Sequence, residues 1–131
     1  MSLLPIIAVV DDDTVYRRTV QKLLQSTELI ENVLAFENGY FVLDYLQNQK
    51  NAEQLPDIIL LDINMPQMDG WAFLDAYDKL KPELSKDIRI YMVSSSSSKE
   101  DINKAKTYNS VASYISKPFS KKDLFQVLNL H

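Results

Sequence analysis

Two uninterrupted apolar runs end on carboxylates, and they constrain this chain more than any other feature. Ile58-Ile59-Leu60-Leu61 stops at Asp62, with Pro66 and Gly70 close behind. Ile6-Ile7-Ala8-Val9-Val10 stops at Asp11-Asp12-Asp13. A short apolar run closed by turn residues reads as a strand buried on both faces, and such strands belong to parallel sheets. In an open α/β sheet the C-terminal strand ends form the edge where ligands bind. Asp62 is therefore expected at a functional edge, and the remaining question is what meets it there.

The rest of the chain supplies partners for those strands. Tyr16, Val20, Leu23 and Leu24 recur at helical spacing, so a helix is expected from Asp13 or Thr14, with Asp13 as its N-cap. Asn32 to Phe36 reads as a strand and Asn38-Gly39 as a turn. A helix follows from Tyr40 to about Gln49, and Asn51 to Pro56 reads as a polar loop. Asp69-Gly70 opens a helix with Trp71, Leu74, Tyr77 and Leu80 on one face, where Trp71 and Met68 are packing residues. Lys81 to Asp87 is a charged loop, and Ile88 to Val93 a fourth strand.

Ser94 to Ser98 has the composition of a flexible linker. It directly follows a buried strand, however, and Ser97-x-x-Glu100 and Ser98-x-x-Asp101 are both capping patterns. Ser94 is therefore read as the strand's end, and Ser97 or Ser98 as the cap of a helix from Lys99 to Tyr108. Ala112 to Ile115 is a short fifth strand, broken by Lys117-Pro118. Ser120 caps a last helix with Leu124, Val127 and Leu128 facing inward, which occupies the chain to His131 and leaves no output domain. Five strands alternating with five helices predict a doubly wound α/β domain spanning residues 1–131.

Composition removes several function classes. The chain has 131 residues, enough for one domain with a real core. It has no cysteine, so disulfides and thiolate metal sites are excluded. Its net charge of −4 argues against nucleic acid as a partner. Gly39 and Gly70 are its only glycines, which rules out a P-loop or a glycine-rich dinucleotide turn. No apolar stretch approaches the roughly 20 residues needed to span a bilayer. Met1-Ser2-Leu3-Leu4-Pro5 also lacks a secretory n-region, so a cytoplasmic setting without membrane contact is expected.

Four strand ends carry polar groups: Asp11 with Asp12, Asp62, Ser94 and Lys117. A parallel sheet gathers them on one edge. Clustered carboxylates repel one another and favour a cation, and an all-oxygen donor set suits a hard ion such as Mg²⁺. With a lysine and a hydroxyl alongside, the set can hold a phosphoryl group in transit, and Asp62 is then the nucleophile that forms an aspartyl-phosphate.

The chain resembles the receiver domain of two-component response regulators, in particular single-domain, chemotaxis-type regulators. The resemblance is carried by Val9-Val10-Asp11-Asp12, by Asp62 through Gly70, by Val93-Ser94-Ser95 and by Tyr114-Ile115-Ser116-Lys117-Pro118-Phe119. It implies a flavodoxin-like fold with strand order 2-1-3-4-5. It implies a stoichiometric phosphoacceptor, not a turnover enzyme, which receives its phosphoryl group on Asp62 from a histidine kinase or phosphotransfer protein and signals to an output protein that the sequence does not name. By the same resemblance Asp12, Asp62 and the main-chain carbonyl of Asn64 bind Mg²⁺, and Asp11 acts mainly through water. Ser94 matches the switch hydroxyl, Lys117 the phosphate-pairing lysine and Tyr114 the switch aromatic. Asn64 and Ser96 occupy positions that tune hydrolysis, and Lys117-Pro118 is expected to be cis.

Some residues depart from the family's usual pattern. Serine replaces the commoner threonine at Ser94, and Ser95 stands where alanine is frequent. Ser110-Val111 replaces a Gly-Ala turn, so Asn109 is expected in the left-handed region. Three other readings compete with the receiver. A relay or phosphate sink without its own output shares every motif. A haloacid-dehalogenase-type phosphatase needs Asp-x-Asp-x-Thr, and Asp11-x-Asp13-x-Val15 lacks the hydroxyl. A receiver-like module that is never phosphorylated has no need of all four polar strand ends. His131 is not expected to act as a ligand.

Overall fold

A computed structural model of the chain describes residues 4–49 and 51–129. Strands and helices alternate: β1 (Ile6–Val10), α1 (Thr14–Gln25), β2 (Asn32–Phe36), α2 (Gly39–Asn48), β3 (Ile58–Leu61), α3 (Gly70–Leu80), β4 (Arg89–Ser94), α4 (Lys99–Lys106), β5 (Val111–Ser116) and α5 (Lys121–Val127). The strands pair in parallel in the order β2-β1-β3-β4-β5. The fold is flavodoxin-like, as expected. The order reverses at β1, which lies between β2 and β3, and that is the switch point where such sheets bind ligands.

Side-chain alternation along the central strands sorts the core into two layers. Ile7 and Val9 with Ile58 and Leu60 meet Val20 and Leu24 of α1 and Leu124 and Val127 of α5. Ala8 and Val10 with Ile59 and Leu61 meet Val42 and Leu46 of α2 and Phe73, Leu74 and Tyr77 of α3. The helices thus divide between the two faces. Burial of each large apolar side chain stabilises the fold by about 1.5–3 kcal/mol. β1 and β3 are buried at every position, whereas the edge strands β2 and β5 are partly exposed. The strands with continuous apolar runs are therefore the central ones.

The caps follow local chemistry. Side chains of Asp13, Asn38, Asp69, Ser98 and Ser120 each accept a hydrogen bond from an N–H of their helix's first turn. Between the two serines considered for α4, the cap is Ser98. Asn38 caps α2, which begins at Gly39, so Asn38-Gly39 is a helix start and not a free turn.

Other boundaries differ from expectation. The Asn51 to Pro56 segment contains a 3₁₀ turn at Ala52–Gln54 and buries Leu55, and the charged loop contains another at Lys81–Glu83. β4 begins at Arg89, not Ile88, and extends through Ser94, while β5 runs from Val111 to Ser116. α4 stops at Lys106, because Thr107 caps it and Tyr108 stacks on Trp71 at 6.0 Å instead of continuing the helix. Asn109 does not adopt a positive φ. A turn closed by Val111 N–H donating to the Tyr108 carbonyl (3.1 Å) serves there, and among described residues only Gln67 and Asn129 are left-handed. α5 ends at Val127, and Leu130 and His131 lie outside the described residues.

Candidate functional site

The ladder itself delivers the carboxylates. Asp62 N–H donates to the Val10 carbonyl (3.0 Å) and Asp11 N–H to the Phe36 carbonyl (3.1 Å), so backbone pairing continues one residue past β1 and β3. Asp11 and Asp62 are buried, 2% and 7% exposed, while Asp12 is exposed. One oxygen from each of Asp11, Asp12 and Asp62 can lie within 4.8 Å of the others. Asp13 does not join the cluster's chemistry. It caps α1 through Tyr16 N–H at 3.1 Å.

Lys117 reaches this cluster from β5. Its backbone N–H donates to the Ser94 carbonyl at 2.9 Å, which draws the end of β5 against β4, and Lys117-Pro118 is cis as expected. The ammonium donates to Asp11 Oδ2 at 2.7 Å and lies 3.6 Å from Asp62 Oδ2. It also sits 4.3 Å from the centre of the Tyr16 ring. Burial pulls the Lys117 ammonium down. The Asp11 hydrogen bond and the charges of Asp62 and Asp11 outweigh that, and its pKa is raised.

Asp62 is the perturbed member. Burial, then the charge of Asp11, push its carboxyl from 3.8 up to about 6, against the opposing pull of Lys117 and the Ile63 N–H. That N–H donates to Asp62 Oδ1 at 2.9 Å. Both Asp11 oxygens are engaged, Oδ1 by Asp13 N–H at 2.9 Å and Oδ2 by Lys117. Three carboxylates served by a single lysine among the described residues are short of positive charge. Their oxygen-only donor set fits a hard divalent cation, in keeping with the acidic Mg²⁺ pocket of receiver domains.

The loop from Asp62 to α3 is held close to the site. Gly70 N–H donates to the Ile63 carbonyl at 2.8 Å. A Cβ at Gly70 would stand 2.5 Å from the Asp62 carbonyl oxygen, so only glycine permits this approach. Asn64 lies on that loop, exposed, next to buried Met65.

Ser94 is buried at the end of β4, where its hydroxyl accepts from Ser96 N–H at 3.1 Å. Tyr114 is half-buried, and its hydroxyl donates to the Ser96 carbonyl at 2.8 Å. Ser96 Oγ in turn donates to Asp101 Oδ2 at 2.7 Å. Ser94 and Tyr114 are therefore connected through hydrogen bonds to Ser96.

Sequence reasoning misses three further residues. Tyr16 reads only as part of the helix's apolar stripe, yet its hydroxyl accepts from Phe119 N–H at 3.1 Å and its ring faces Lys117. Arg17 donates to the Asp11 carbonyl at 2.6 Å. Asp101 reads only as part of a capping pattern. The proximity of Tyr16 and Arg17 to Asp13, one turn into α1, is the available signal.

A doubly wound parallel sheet with a buried, lysine-paired carboxylate cluster at its switch point defines the class of protein. The chain matches the family model of the response regulator receiver domain over residues 7–129 and belongs to that family. It is 30% identical over 125 residues to response regulator Rcp1 of Synechocystis, covering 94% of this chain and 83% of that protein. It is 32% identical over 123 residues to the sensor histidine kinase CheAY of Helicobacter pylori, of which it spans only 14%. The crystal structure of a two-component response regulator from Cytophaga hutchinsonii superposes with a TM-score of 0.87 at 26% identity, covering 96% of this chain and 95% of that one. The chain is thus a phosphoacceptor receiver domain, of a family that works with histidine kinases or phosphotransfer proteins. Among the described residues no helix is long and apolar enough to cross a membrane.

Proposed function

We propose that Asp62 is the phosphoacceptor. The observation that carries this reading is its position: a buried carboxylate at the switch point, pushed up to about 6, with the Lys117 ammonium 3.6 Å away. Asp12, Asp62 and the Asn64 main-chain carbonyl would hold Mg²⁺, with Asp11 acting through water. When bound, the ion supplies positive charge against the phosphoryl oxygens.

An Asp62 carboxylate oxygen attacks the phosphorus of a phosphohistidine on a kinase or phosphotransfer protein. The new P–O bond forms as the P–N bond breaks, and the electron pair returns to the imidazole nitrogen. Lys117 shifts its ammonium from Asp11 toward a phosphoryl oxygen, and Ser94 turns its hydroxyl to donate to another. Ser94 then leaves Ser96, and the change passes to Tyr114 and Asp101, which Ser96 connects to β5 and α4. The face formed by α4, β5 and α5 thereby reads out the phosphorylation by biasing a two-state element. The protein acts stoichiometrically and promotes only its own phosphorylation and dephosphorylation, in a cytoplasmic setting, with an output partner that docks on that face.

The test is intact mass after incubation with acetyl phosphate and Mg²⁺. One phosphoryl group, about 80 Da, is expected on the wild type and none on Asp62→Asn or without the metal. Undiminished labelling of Asp62→Asn would transfer the role to another residue, Asp11 or Asp12 first.

A further inference from the structure

The loop carrying Asn64 contains a conformation that needs explaining. Met68 N–H donates to the Pro66 carbonyl at 2.8 Å, and Gln67 between them has φ 67°. A three-residue turn with a positive φ at its centre is the rare, strained kind of γ-turn. Gln67 is not glycine, and such a conformation persists only where its surroundings over-determine it.

The surroundings come from α2. Asn38 is 2% exposed, and both ends of its amide are engaged. Oδ1 accepts from Phe41 N–H at 3.2 Å as the N-cap, which orients the amide so that Nδ2 donates to Gln67 Oε1 at 3.3 Å. The next residue continues the contact, with Gly39 N–H donating to the Met68 carbonyl at 3.1 Å. A Cβ on Gly39 would stand 3.0 Å from the Met68 carbonyl oxygen and from Phe73 Cβ, so the start of α2 is pressed onto the loop. Ile63 and Gly70 close the loop's base, and Asn38 and Gly39 hold its far side.

We propose that Asn38 is a positioning residue for the metal centre: from the start of α2 its amide holds the strained Gln67 turn, and through it the Asn64 carbonyl. The inference rests on the reading of Asp12, Asp62 and Asn64 as the Mg²⁺ ligands. Asn38 does not touch the ion. It reduces the freedom that the loop would otherwise lose when Asn64 becomes a ligand.

Two variants isolate the bond. Asn38→Ser keeps a good N-cap but is too short to reach Gln67. Gln67→Ala removes the acceptor from the exposed side and is informative should Asn38→Ser fold poorly. Mg²⁺ affinity is read from Trp71 fluorescence without a phosphodonor, and exchange protection of the Met68 N–H is measured without metal. Each variant is expected to bind Mg²⁺ about tenfold more weakly, the lower end for partners that orient a ligand. Met68 protection should fall in both. The double variant should be no worse than either single, because both act through one bond.

Affinities within about twofold of wild type in both single variants overturn the proposal, as do additive losses in the double variant. A wild-type chain that gives no Mg²⁺ response at all instead overturns the metal-site reading on which the proposal stands.

Discussion

Removing the charge of Asp62 should stabilise the metal-free protein. Burial and the neighbouring Asp11 raise this carboxyl from 3.8 to about 6, so the folded state holds the proton more tightly than the unfolded chain does. A raised carboxyl is a liability above its folded value: the ionised form is disfavoured by about 3 kcal/mol, the full cost of such a shift. The penalty is complete above about pH 7. It fades as pH falls from about 6 toward 3.8, and it is gone only below about 3, where the unfolded chain is also protonated. The amide introduced by Asp62→Asn is uncharged at every pH, and its oxygen could still accept the Ile63 N–H.

Allowing for relaxation and water around the charge, Asp62→Asn should gain about 1–3 kcal/mol at about pH 7.5, or about 4–11 °C in Tm for a domain of this size. Urea unfolding followed by Trp71 fluorescence, in EDTA, at intervals from about pH 8 to about 4.5, measures the gap directly. Mg²⁺ should then stabilise the wild type more than the variant and narrow the gap at the upper end of that range, since a ligand of the folded state stabilises by mass action. A variant less stable than wild type there, or a gap constant across the whole pH range, would refute the reasoning. Either result would mean that Lys117 compensates Asp62 fully.

Two substitutions test the neighbours. Lys117→Ala removes the partner that Asp11 holds at 2.7 Å, and should slow labelling by acetyl phosphate about 100-fold while Mg²⁺ still binds; labelling at the wild-type rate would reduce Lys117 to a structural ion-pair partner. Gly70→Ala puts a methyl where the Asp62 carbonyl oxygen lies 2.5 Å away, and backbone cannot yield as a side chain can. It should cost about 2–3 kcal/mol in urea unfolding and also lower the labelling rate, and unchanged stability would show that the loop has room to move.

Features governed by near neighbours are legible in the residues alone. β1, β2 and β3 have the bounds their apolar runs predict, because such a run and the polar residue that ends it act within a few positions. Asp13 and Ser120 are recognisable as caps because a side-chain oxygen and the N–H it accepts lie within one turn. Asp11, Asp62 and Ser94 are legible for the same reason: each is the residue at which an apolar run stops, whereas Lys117 lies one residue beyond β5 and is marked by the proline that follows it. Where local signals mislead, a distant group intervenes. Tyr108 continues the apolar spacing of α4, but its ring stacks on Trp71 of α3. Leu55 sits in a polar stretch, yet the core buries it.

What only the tertiary structure decided is how those strand ends engage one another. Lys117 and Asp11 are 106 residues apart, and no spacing rule says that the ammonium pairs with Asp11 at 2.7 Å and with Asp62 only at 3.6 Å. The reversal of strand order at β1 places Asp11 beside Asp62, and helices on both faces exclude the water that would screen them. The raised carboxyl of Asp62 and the Asn38–Gln67 contact arise in the same way. Each depends on desolvation or on a bond between segments far apart in the chain, and both come into being only when the sheet has closed its core.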